Sequence, residues 1–151
     1  MKKNKLAEIV SFPLSLVFIY VGFSKYFNLD LFIHAMGSQP FPRWMAAFLI
    51  YTLPASEILT GFLLLFSRTR KAGLYAAGIL IISFTIYAWA VLLHLFSSHS
   101  PCPCGGMIST FSWKQHAFFN SFLLLVIVLC LVPVIDKIKK FSIRVYYSYI
   151  R

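Results

Sequence analysis

The stretch AGLYAAGILIISFTIYAWAVLLHLF, residues 72–96, decides the fold, because it contains no Lys, Arg, Asp or Glu. An α-helix rises about 1.5 Å per residue, so about 20 residues cross a hydrocarbon core of about 30 Å. Three further runs of comparable length, residues 6–24, 44–67 and 113–135, are apolar or nearly so. The sequence therefore predicts an all-α membrane protein with four transmembrane helices in a single domain, residues 1–151.

The composition agrees with a chain that lies almost wholly in a bilayer. Of its 151 residues, 60% are hydrophobic and 12% are charged, and the mean hydropathy is +0.80. A soluble domain carries about 25% charged residues. The first run follows a basic start, MKKNK, as a signal peptide would, but no small-x-small cleavage site comes after it. We therefore expect the first run to remain as a span.

The basic residues are distributed unevenly among the loops. Most of the 14 Lys and Arg residues lie in the N-terminal segment, in the connection 68–71 and in the tail 136–151, whereas the other two loops hold Lys25, Arg43 and Lys114. Positively charged loops stay in the cytoplasm. This pattern predicts cytoplasmic termini and an antiparallel bundle, which in a bacterium would lie in the inner membrane. The net charge of +10 then indicates a tail on anionic lipid, and not nucleic-acid binding.

Local signals suggest how the spans are connected. The first outer loop, residues 27–43, has apolar residues at helical spacing and predicts a short helix on the membrane surface, ended by its two prolines. Ser112 and Gln115 fit a capping box, which predicts that the fourth span begins at Trp113. The small residues expected to allow close helix contact are Gly61, Gly73 and Gly78.

The stretch HSPCPCGGM, residues 99–107, is the main candidate for chemistry. Cys102 and Cys104 lie in the second outer loop, which in a Gram-negative bacterium would face the periplasm, where disulfides persist. A disulfide across so short a spacing forms a strained ring, and strained, exposed disulfides tend to be labile or catalytic. We therefore take the pair as a candidate thiol–disulfide redox centre.

Two other interpretations of this loop stay open. The cysteines can form a static disulfide that shapes a docking loop of a non-enzymatic subunit or maturation factor. Alternatively, His99, Cys102, Cys104 and His116 offer the thiolate and imidazole ligands that zinc and copper prefer, with His94 as a further candidate. A single Cys-x-Cys lacks the paired spacing of an established zinc module.

Glu57 is the most unusual single residue, because it falls near the middle of the second span. An ionisable group at that depth is expensive and suggests a function. Glu57 shares a helix face with Pro54 and Gly61, and this face and a neighbouring stripe are expected to face the bundle. The stripe consists of Thr52, Ser56 and Thr60. Proton relay, contact with a quinone-like ligand and a hydrogen bond to an adjacent helix are all compatible with this placement.

Lys25 and His116 are the other candidate supporting residues. Lys25 closes the first span, where it can snorkel to the surface or stabilise a cysteine thiolate. Because Lys25 and Glu57 are placed several helical turns apart in depth, a direct salt bridge between them is not expected. His116 lies in the first turn of the fourth span and can exchange protons with the thiols or serve as an interfacial histidine. Cys130 is expected to be buried and unreactive.

The ordered set of these motifs resembles the MauE/DoxX-like family of bacterial membrane proteins, from about Tyr20 to Pro133. The matching pieces are YVGFSKYFNLDLF, LPASEILTGFLLL, RKAGLYAAGILIISFTIYAW and CPCGGMISTFSWKQHAFFN. In this resemblance Cys102 and Cys104 match the family's cysteine pair, Glu57 its intramembrane acid and Lys25 the Lys after Gly-x-Ser. The chain departs from named members at Gly106 and at Gln115-His116.

The resemblance implies a four-helix membrane protein linked to disulfide formation or electron transfer in exported partners. The expected partner is a periplasmic thiol or disulfide protein, and the electron acceptor is open, with a quinone as one possibility. The chain holds three cysteines in all, so it lacks a second pair that would pass electrons onward internally. A partner protein would have to supply that pair.

Overall fold

The computed structural model describes the backbone of residues 5–95 and 112–149, and side chains at residues 5, 7–95 and 112–132. Within these ranges the secondary structure consists of five helices. They are α1, Lys5–Phe27; α2, Leu29–Gly37; α3, Arg43–Leu65; α4, Arg70–Leu92; and α5, Trp113–Tyr149. Cys102, Cys104, His99 and the tail residues 150–151 lie outside the described residues.

Four of the helices are long and apolar enough to cross a membrane, as the sequence predicts. The spans are Ala7–Phe27, Arg43–Leu65, Arg70–Leu92 and Trp113–Val132. Their outward faces carry large exposed apolar side chains, which suits contact with lipid tails. Examples are Ile9, Phe48, Ile79 and Phe122. The all-α, multi-span fold class is therefore confirmed.

The four long helices pack in the circular order α1, α3, α4, α5. The most extensive contacts join α1 to α3 and α4 to α5, and the least extensive of the four closes the ring between α5 and α1. One end of the bundle holds α2; we call it the α2 end. The other holds the turn from α3 to α4, residues 66–69, and we call it the turn end. A cluster of buried apolar side chains, including Leu64, Leu74 and Ile127, fills the bundle toward the turn end.

Two glycines bring α1 and α3 into close contact. A Cβ at Gly61 would lie 2.5 Å from Ile19 Cγ1 and 3.0 Å from the Ser15 carbonyl oxygen, and one at Gly22 would lie 3.0 Å from the Pro54 carbonyl oxygen. Helices in membranes gain little from the hydrophobic effect and associate through close packing, which small residues permit. The role predicted for Gly61 is confirmed, and Gly22 is its counterpart on α1.

The other two predicted glycines differ from each other. At Gly73 a Cβ would lie 2.8 Å from the Leu64 backbone nitrogen, so the α3–α4 hairpin needs a residue without a side chain there. At Gly78 the nearest atom is Ile127 Cγ2 at 3.6 Å, an ordinary van der Waals distance. Close helix contact therefore depends on Gly73 and not on Gly78.

The predicted short helix in the first outer loop is α2, but it ends before the prolines. Its last turn closes when the Ser38 N–H donates to the His34 carbonyl, so the helix ends at Gly37. Phe32 and Met36 are buried in a cluster with Ala46 of α3. The apolar face of α2 therefore packs on the bundle, while Leu31 and Ile33 remain exposed.

Two helix ends next to the cysteine segment have clear local causes. The α4 helix ends at Leu92, short of the predicted Phe96, because His94 adopts a left-handed φ of 55°. The Leu95 N–H then donates to the Ala90 carbonyl at 3.0 Å, as in a Schellman motif. At the start of α5, the Ser112 N–H donates to Gln115 Oε1 at 2.8 Å, which confirms the capping box. The α5 backbone then continues as one helix past the predicted residue 135 to Tyr149.

Candidate functional site: a buried ion pair beside an apolar cavity

Lys25 and Glu57 form an ion pair in the interior of the bundle. Lys25 Nζ lies 2.5 Å from Glu57 Oε1 and 2.6 Å from Oε2, so the ammonium donates to both carboxylate oxygens. Each side chain is 1% exposed. The expectation that these residues stand too far apart in depth to pair is wrong. Lys25 also does not snorkel to the surface, and Glu57 makes its contact with an adjacent helix.

The pairing follows from a stagger between α1 and α3. Gly22 of α1 lies level with Pro54 and Ile58 of α3, as the close backbone approaches show. Lys25 follows Gly22 by about one turn of α1. Its Cα is therefore about one helical turn from the level of Glu57, and the long side chain of Lys25 can cover that distance. Position within a span is therefore a poor measure of depth here. The N-terminal part of α3 extends past the end of α1, and α2 packs against this extension.

Two aromatic rings flank the ammonium. Lys25 Nζ lies 5.7 Å from the centroid of the Phe32 ring and 5.8 Å from that of Phe84. These distances are within the range of cation–π attraction. Lys25 belongs to α1 and Glu57 to α3, whereas the two rings belong to α2 and α4. Side chains from four helices therefore meet at the ion pair.

A cavity of about 540 Å³ lies next to the pair, toward the α2 end. Lys25 and Glu57 both contribute to its wall, and most of the remaining lining is apolar. The aromatic side chains in the wall are Phe18, Phe41, Phe84, Tyr87, Trp113 and Phe119. Cavities of about 300–1,000 Å³ with few polar groups are typical of sites for small organic molecules.

A polar and aromatic cluster lies at the α2 end of the cavity, and Tyr87, Trp113 and His116 of this cluster line its wall. The Tyr87 hydroxyl donates to Gln39 Oε1 at 2.5 Å, which ties α4 to the segment after α2. The Tyr87 ring lies edge-on to Trp113, with centroids 5.9 Å apart, and Trp113 in turn lies 6.4 Å from the ring of His116. Sequence reasoning missed Gln39 and Tyr87, whose only signal is that each is a polar side chain close to an apolar segment.

His116 is the third predicted supporting residue that the structure brings to the cavity. It is 1% exposed and lines the same cavity as Lys25 and Glu57. Its imidazole lies inside the bundle near Trp113, and the roles considered for it stay predictions. Cys130 is fully buried in the apolar cluster toward the turn end, as predicted.

The loop cysteines lie in the segment 96–111, outside the described residues, but the residues before and after this segment are described. Leu95 and Trp113, on either side of the segment 96–111, both line the cavity. No group of three or more His, Cys, Asp or Glu side chains suitable for a metal occurs in the described part of the chain. Of the residues in the metal alternative, the structure describes His94 and His116.

The sequence pattern of one protein family fits this chain along most of its length. The family is described as Methylamine utilisation protein MauE, and it matches residues 3–133. The chain belongs to the MauE family. The match covers all four membrane spans and includes Lys25, Glu57, His116 and both loop cysteines. Comparison with curated proteins and comparison with solved structures each gave no match.

In this MauE-family protein, the candidate site lies inside the membrane-spanning bundle. A neutral ion pair, a buried imidazole and an aromatic wall surround a cavity of molecular size. Such a cavity can bind a largely apolar molecule and offer it one charged hydrogen-bond donor.

Proposed function

We propose that this MauE-family protein exchanges electrons with the thiols of exported proteins through Cys102 and Cys104. In the oxidising direction, a partner thiolate attacks the Cys102–Cys104 disulfide, and one of the two cysteines leaves as a thiolate. A second partner thiolate then closes the partner's disulfide and releases the other cysteine. Two electrons and two protons have passed to the cysteine pair, and a membrane carrier such as a quinone would remove them.

The observation that carries this proposal is where the cysteine segment joins the bundle. Leu95 and Trp113 flank it and line the cavity beside the Lys25–Glu57 pair. A thiol pair attached there is close in sequence to a site suited to an apolar carrier. The membership in the MauE family and the Cys-Pro-Cys spacing support the same conclusion.

The periplasmic placement of the cysteines is also a proposal. The short connection at the turn end holds Arg68, Arg70 and Lys71. This cluster of basic residues favours a cytoplasmic turn end, and with it an outward-facing α2 end. A fluorescent-protein fusion to the C-terminus tests this: fluorescence supports a cytoplasmic terminus, and a dark but stably expressed fusion contradicts it.

The redox role is tested by trapping partners in intact cells. Single variants Cys102→Ser and Cys104→Ser should accumulate mixed disulfides, visible as thiol-sensitive adducts on non-reducing gels and identifiable by mass spectrometry. Cys130→Ser is the matched control: it removes a fully buried thiol and keeps both loop cysteines, so each mixed disulfide is resolved and none should accumulate.

Three other outcomes would contradict the redox role. A cysteine pair that stays oxidised under strong reductant, with no adducts, would indicate a structural disulfide in a docking loop. Disulfide formation in the exported partner that persists in both serine variants would indicate a non-enzymatic subunit. Zinc or copper that copurifies with the protein and is lost in His99→Ala would indicate a metal site.

A further inference from the structure

Lys25 has one hydrogen-bond donor more than its partner uses. An ammonium carries three N–H donors, and two are directed at the two oxygens of Glu57. The remaining surroundings of Nζ include the Phe84 ring, which is part of the cavity wall. A ligand in the cavity that carries an acceptor oxygen can therefore bind the third donor, which an aromatic ring satisfies only weakly.

The charge of the site selects a neutral ligand. Lys25 and Glu57 cancel each other, and the rest of the cavity wall contains no Asp, Glu, Lys or Arg among the described residues. A phosphate or carboxylate entering this wall would lose its hydration without a free counter-charge, which is costly at low dielectric. An alkyl chain alone would fit the apolar wall but would leave the Lys25 donor without an acceptor.

The shape of the wall favours a flat ring. Six aromatic side chains line the cavity, among them Phe41, Tyr87 and Trp113, which pack against one another at its α2 end. Aromatic side chains contact planar rings through offset-stacked or edge-to-face arrangements. A neutral, planar molecule with a carbonyl oxygen meets both the aromatic wall and the single donor.

The cavity is open to the lipid-facing surface of the bundle. Ser83 and Ile86 line it and are also exposed on the outer side of α4, where Ile86 is 65% exposed. Because this stretch of α4 lies within a membrane span, a molecule dissolved in the bilayer can enter without passing through water.

We propose that this cavity binds an isoprenoid quinone, with one ring carbonyl accepting a hydrogen bond from Lys25 Nζ and the isoprenoid chain leaving past Ser83 and Ile86. Binding itself requires no thiol chemistry. That the quinone accepts electrons from the cysteine pair rests on the proposed function, so the two are tested separately.

The test measures decylubiquinone binding to the full chain in detergent, in a Cys102→Ser/Cys104→Ser background that cannot perform dithiol redox chemistry. Quenching of tryptophan fluorescence is the signal. Trp113 lines the cavity, whereas Trp44 is 74% exposed on the outside. A chain that retains only Trp113 should show saturable quenching, and a chain that retains only Trp44 should show only the linear quenching caused by quinone in the micelle.

Variants of the site should weaken this binding. Replacing the pair together, Lys25→Met/Glu57→Leu, removes the donor without leaving a buried charge and should weaken binding about ten- to a hundredfold, the effect of losing a hydrogen bond to a charged group. Ser83→Phe keeps the pair and narrows the opening, and it should also weaken binding. Ile82→Phe is its matched control, because Ile82 is a neighbouring exposed residue that does not line the cavity.

Several results would overturn the proposal. One is equal quenching of Trp113 and Trp44, and another is equal competition by decylbenzene, which has the ring and chain but no carbonyl and would indicate a lipid-chain site. A third is unchanged affinity in both Ser83→Phe and the double variant. Failure of the thiol proposal would instead appear as absent mixed disulfides with quinone binding intact.

Discussion

Removing one partner of the Lys25–Glu57 pair should be far more damaging than removing both. In Lys25→Met the Glu57 carboxylate stays 1% exposed in an apolar wall and loses two contacts of 2.5 and 2.6 Å. Breaking a buried ion pair in this way costs about 3–5 kcal/mol, whereas replacing both partners by apolar residues of similar size is often neutral. We expect Lys25→Met and Glu57→Gln each to lose about that much, and Lys25→Met/Glu57→Leu to lose less than either.

The assay is unfolding of the purified protein in mild detergent by titration with a denaturing detergent, followed by circular dichroism. Free energies from the parent, the two single variants and the double variant complete a double-mutant cycle. Additive losses, or single variants that lose under about 1 kcal/mol, would refute the structural reasoning.

Three further predictions concern packing and helix ends and use the same unfolding assay. Gly22→Val should destabilise the protein by about 1–3 kcal/mol because its side chain would meet the α3 backbone, whereas Gly78→Ala should be neutral or stabilising; equal effects would contradict the close α1–α3 contact. His94→Gly should stabilise by about 1 kcal/mol, since glycine adopts a φ of 55° without strain, and a loss would argue against the Schellman end of α4. Tyr87→Phe should cost about 1 kcal/mol by removing the hydroxyl that donates to Gln39, and no change would show that this bond adds nothing to stability.

The fold could be predicted from sequence because one physical requirement dominates it. Uncharged runs of the right length must span a bilayer as helices, since backbone groups in lipid must be hydrogen-bonded within the segment. Even the start of α5 followed from a local signal, because the Ser112 capping box depends on residues three apart. The end of α4 did not, because a left-handed conformation is uncommon at any residue other than glycine and nothing in the sequence marks His94 for it.

Three polar residues that line the cavity could be picked out from the sequence, but their arrangement could not. Lys25 and His116 stood out at the ends of apolar runs and Glu57 within one, and all three line one cavity. Their proximity depends on the stagger between α1 and α3, which is set where Gly22 and Gly61 let the two backbones meet. Sequence shows that glycines are present but not which level of the neighbouring helix they contact, so depth counted from the ends of the spans gave the wrong answer.

The ion pair also has a consequence for how the chain enters the membrane. A charged residue near the centre of a single inserting helix costs about 2.5–3.5 kcal/mol, and Glu57 is such a residue in α3. Its counter-charge is already present on α1, which emerges from the ribosome first. We therefore expect α3 to leave the insertion machinery beside α1, as a two-helix unit whose formation precedes the arrival of α4 and α5.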